Sequence, residues 1–180
     1  MNELNIAGDI GVDLLTEAFS LISFSAVNAI ANDLTARGIP LLFTDPGTFE
    51  AFCADAVACF IPSPNSEPPA TPVPIPVLLF NPAYLDETPA TIAAVIVHEG
   101  THFQEYLDGR LYAAGRGTVD NEFDAFWNEA VFWQDTRASQ SPFTTGLEEE
   151  EEAIYQTALQ GEAELRDHIA ALYCDGAADC

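Results

Sequence analysis

Apolar residues recur at helical spacing over residues 9–37, where Leu15, Phe19, Ile22, Ala26, Ile30 and Leu34 fall on one stripe. That period predicts a single amphipathic helix serving as core scaffold. Gly38 follows the last turn and Pro40 forbids continuation, a glycine stop reinforced by proline. Residues 39–44 then read as a short apolar strand ended by Asp45, Pro46 and Gly47. A second strand is expected somewhere in 48–61, its register blurred because the stretch from Cys53 to Cys59 alternates poorly. Residues 61–76 are rich in proline and lack periodicity, which predicts an extended or polyproline surface loop. Residues 77–81, apolar from Val77 to Phe80, read as a strand.

Three helices are expected after that strand. Thr88 as N-cap and Pro89 at the first helical position open one that Gly109 terminates. Thr91, Val95, His98, His102 and Tyr106 share one of its faces. After a loop over 110–117, Thr118 or Asp120 caps a second helix that carries Glu122, Phe126, Glu129 and Trp133 on one side. The final helix, 146–173, begins with a capping box from Thr145 to Glu148. The acidic run from Glu148 to Glu152 reads as a solvated first turn favoured by the helix dipole rather than as a cation site. The predicted class is α+β: an N-terminal helix, a small mainly antiparallel sheet, then three helices, in one domain over residues 1–180.

The chemistry concentrates in His98-Glu99-Gly100-Thr101-His102. Residues four apart lie on one helical face, so His98 and His102 present two imidazoles to one point, as two nitrogen ligands of a zinc ion require. Glu99 sits about 100° around the helix from His98, badly placed to be a third ligand but well placed to take the proton of an attacking water.

In this helical context the motif resembles that of the zincin metallopeptidases. The branch with a third histidine in His-x-x-Gly-x-x-His is excluded, because no histidine follows His102 before His168. The gluzincin branch takes its third ligand from a glutamate on a following helix, and Glu122 falls twenty residues after His102. Glu122 in Glu-x-x-Ala-Phe, followed by Ala130 and Trp133, resembles small gluzincin-like bacterial domains. Glu129 is the alternative, in a similar setting seven residues on; seven residues of helix are about 10.5 Å, so one ion cannot readily use both. The resemblance implies a compact zincin-like fold, Zn²⁺ held by His98, His102 and Glu122, and Glu99 as the catalytic base. It also implies that the strand at 77–81 lies at the sheet edge beside the metal, where an extended peptide can pair with it. An oxyanion-stabilising group from a downstream element is implied as well, and His168 is the candidate.

Composition changes this picture little. The net charge is −24, with five arginines, no lysine and 48% hydrophobic residues. A folded core is expected, while binding to nucleic acid or anionic membranes is not. The plainer reading of the charge is solubility, and the functional one is a cleft that attracts basic substrates. Cysteines 53, 59, 174 and 180 allow three connectivities. Local pairing is the simplest, and two bridges lean towards an oxidising, extracellular setting. No secretory signal is visible at the N-terminus, and the uncharged run over 18–32 is too short to span a membrane.

The expected function is a zinc-dependent endopeptidase acting on a peptide or protein substrate. The alternative is a non-catalytic or latent zincin-fold binding or assembly protein, its site blocked by the C-terminal segment, with Cys180 as a thiolate ligand. Cleavage specificity and oligomeric state are not legible in the sequence.

Overall fold

A computed structural model of the chain describes residues 10–54, 56–62, 76–139, 142–174, 176 and 180. The N-terminal stripe folds as two helices, α1 (Val12–Ser23) and α2 (Asn28–Arg37), not one. Ser25 causes the break. Its hydroxyl donates to the Ile22 carbonyl at 2.8 Å and accepts from the Val27 amide at 3.3 Å, a local side-chain turn that competes with helix continuation. Leu15, Phe19, Ile22, Ile30 and Leu34 of the stripe are nonetheless all buried.

Strand β1 (Leu41–Phe43) leads into α3 (Pro46–Cys53), a helix that was not expected, and the second strand expected within 48–61 occupies only its last four residues. The Asp45 side chain accepts from the Thr48 amide, with Pro46 in the first turn, so the residues that end β1 also nucleate a helix. Strand β2 is confined to Ala58–Ile61, and β3 is Val77–Phe80. The proline-rich loop expected over 61–76 lies almost entirely outside the described residues.

The sheet order is β1-β3-β2, with β1 parallel and β2 antiparallel to β3. The sheet is therefore mixed rather than mainly antiparallel, and β3 is its centre rather than its edge. All four β3 residues are buried, as both faces of a central strand covered by helices require. Leu78 and Phe80 join a core with α1, α2 and the next helix, whereas Val77 and Leu79 pack with Phe49 and Cys53 of α3. Period-two alternation thus splits one apolar run between two cores.

Helix α4 (Pro89–Leu107) opens as expected, with the Thr88 side chain accepting from the Thr91 amide. From Ala90 to Val97 every residue is buried, the mark of a helix enclosed on all sides. Helix α2 crosses it closely enough that a Cβ on Gly100 would come within 2.3 Å of Ile30 Cγ2. Helix α5 (Thr118–Thr136) lies against α4; its N-cap is Gly117 and makes no side-chain capping bond, so neither Thr118 nor Asp120 fills that position.

The predicted last helix is α6 (Gly146–Ala158) and α7 (Glu162–Tyr173), separated at Gly161, whose φ of 132° suits glycine alone. The capping box of Thr145 with Glu148 is formed. Val119, Phe126 and Ala130 of α5 build a further core with Ile154, Leu165 and Ile169 of α6 and α7. Cys53 pairs with Cys59 and Cys174 with Cys180, at Cα separations of 5.8 and 5.7 Å, the local connectivity expected. Among the described residues no helix is long and apolar enough to cross a membrane.

Candidate metal centre

In the C-terminal half of α4, His98 and His102, both mostly buried, meet Glu122 from α5. Glu122 Oε2 lies 3.2 Å from His98 Nε2 and 3.5 Å from His102 Nε2. One ligand atom from each of the three residues falls within 4.8 Å of the other two, and no other such trio occurs among the described residues. Donors bound tetrahedrally at zinc distances lie about 3.3 Å apart. The two nitrogen–oxygen separations are close to that value.

Each imidazole is held from behind by a second carboxylate. His98 Nδ1 is 2.7 Å from Glu129 Oε2, and His102 Nδ1 is 3.4 Å from Glu105 Oε2. In a neutral ring, donation from Nδ1–H leaves the Nε2 lone pair facing Glu122, and such partners fix both tautomer and ring orientation. Glu129, the alternative ligand, thus occupies the outer side of His98 while Glu122 holds the inner side. Glu105 is fully buried and ion-paired to Arg116, which also bonds Asp124 at 2.9 Å. Sequence reasoning did not pick out Glu105. Its spacing of three from His102 on one helix is the signal that was there to be used.

Without a metal the cluster is an ion-pair network. Burial works against charge on His98, but Glu122 and Glu129 outweigh it and hold the ring's pKa well above the ordinary histidine value. For His102, burial is likewise outweighed, by Glu105 and Glu122, and its pKa rises to about 9. Burial raises Glu122, yet the two histidines hold its carboxyl well below the usual range.

Glu99 is 9% exposed, and its Oε2 accepts the Phe60 amide at 2.7 Å. That amide points away from β3, so β2 turns its free edge towards the motif. His168 on α7 does not line the cavity beside His98 and Glu99, whereas Tyr173 of the same helix does. Tyr173 also packs edge-on against Phe126, 6.2 Å between ring centres. Tyr173 is half exposed; its partial burial, then the carboxylates of Glu122 and Glu129, push its phenol above the ordinary range, so it stays a hydroxyl donor. Tyr112, in the loop between α4 and α5, is exposed and holds a left-handed φ of 55°.

No protein-family model, curated protein or solved structure matches this chain.

Proposed function

We propose that the protein is a zinc-dependent endopeptidase of the gluzincin type. The observation that carries this reading is the convergence of His98 Nε2, His102 Nε2 and Glu122 Oε2 at zinc-like spacing, with Glu99 on the adjoining helical position. A zinc ion held there would supply Lewis acidity, polarising a carbonyl and making water acidic enough to lose a proton near neutral pH.

The chain's own groups take the remaining roles. His98, His102 and Glu122 hold the ion; Glu129 and Glu105 fix the two rings. The Phe60 amide steadies one oxygen of Glu99, leaving the other to receive the proton of the attacking water and deliver it to the leaving amine. Tyr173 replaces His168 as the group best situated to donate to the developing oxyanion, because it lines the cavity that His98 and Glu99 share. The outer edge of β2, rather than β3, offers backbone groups to an extended peptide. The strongly acidic surface speaks against nucleic acid or an anionic membrane as partner. Two local disulfides favour an extracellular place of action.

A latent site closed by a Cys180 thiolate has no support, since that sulfur is bonded to Cys174. Metal analysis of the purified protein, joined to digestion of a peptide library, tests the reading: about one zinc per chain and chelator-sensitive cleavage are expected.

A further inference from the structure

A cavity of about 340 Å³ runs from His98 and Glu99 along α4 to Val95 and under α6. Its size is at the small end of the roughly 300–1,000 Å³ found for ligand pockets. Its walls are of two kinds. Tyr84, Val95, Leu147 and Ile154 are apolar or aromatic; Glu150 and Glu151 add carboxylates from α6, beyond Glu99 and Glu129. Glu151 is 2% exposed, and its Oε2 has no hydrogen-bond partner. A buried acceptor left unmatched is destabilising, so its presence at a cavity wall calls for a ligand that supplies a donor.

We propose that this cavity receives the side chain of a lysine or arginine in the substrate, next to the scissile bond, with Glu151 and Glu150 meeting its charge. The aliphatic stem of either residue matches Val95, Leu147 and Ile154, and its cationic head matches the carboxylates beyond them. A metal ion is the poorer occupant, because the only trio of ligand atoms at metal spacing among the described residues is His98, His102 and Glu122. An apolar side chain is poorer still, since it would seal Glu151 away from any donor. The overall charge of −24 draws cationic peptides towards the molecule.

This inference rests on the peptidase reading, and its test separates the two. Binding of N-acetyl-arginine amide and N-acetyl-norleucine amide to the purified protein is compared by calorimetry, beside a peptide-library digest. The arginine compound is expected to bind at least about tenfold tighter, with cleavage concentrated beside arginine and lysine. In Glu151→Gln the ratio should collapse towards one. If that variant fails to fold by circular dichroism, Glu150→Gln is expected to lower the ratio severalfold. Equal binding of the two amides by wild type, or an unchanged ratio in the folded variants, overturns the proposal. A clear arginine preference with no hydrolysis of any peptide keeps the pocket and refutes the peptidase.

Discussion

His98 Nδ1 lies 2.7 Å from Glu129 Oε2 while its Nε2 faces Glu122 at 3.2 Å, so two glutamates seven residues apart grip opposite sides of one ring. This divides their roles. Glu129→Gln should still bind zinc, with affinity weakened about 10- to 100-fold, the usual effect of losing a ligand's outer partner. Glu122→Gln replaces an anionic ligand oxygen with a neutral amide and should weaken it considerably more. Titration against a competing chelator ranks the two, and the opposite order would make Glu129 the ligand.

The charged histidines give the metal-free protein a distinctive pH dependence. His102 goes from an ordinary value of 6.5 to about 9 on folding, and His98 moves the same way. A pKa raised by folding stabilises fully below the unfolded value and loses that contribution as pH rises through the folded one. For His102 the loss is roughly 3 kcal/mol between about pH 6.5 and 9. Denaturant unfolding of chelator-treated protein should show stability falling over that window. Zinc affinity should rise over the same range, because both rings must shed protons to bind.

Much of the site was legible because its spacing is local. His98 to His102 is one helical turn, Thr88 with Pro89 fixes where α4 begins, and Thr145 with Glu148 fixes where α6 begins. Glu122 was reachable from its distance beyond His102. The misreadings came from interactions that periodicity does not encode. The stripe from Leu15 to Leu34 continues across the Ser25 turn, so one helix was expected where two form. The bond from Phe60 to Glu99 joins residues 39 apart, and only the folded sheet order puts β2 at the edge beside the motif. Tyr173 shares its helix with His168, and tertiary packing alone selects which of them reaches the cavity.

Gly100 tests the packing that supports the motif. Ile30 of α2 occupies the space a Cβ would need. Overpacking costs about 1–3 kcal/mol, whereas alanine gains about 1 kcal/mol over glycine in a helix. Gly100→Ala is therefore expected to destabilise the protein by up to about 2 kcal/mol, read as a lower denaturant midpoint. Stabilisation would mean that α2 and α4 do not pack this closely.

Glu99 bears the central claim. Glu99→Gln preserves shape and leaves the trio of His98, His102 and Glu122 intact, so zinc content and peptide hydrolysis measured together separate metal binding from catalysis. Wild type and variant should each hold about one zinc per chain, while kcat/KM falls about 10²- to 10⁴-fold in the variant. Wild-type protein that binds no zinc, or a zinc-loaded variant that hydrolyses peptides as fast as wild type, would contradict the account.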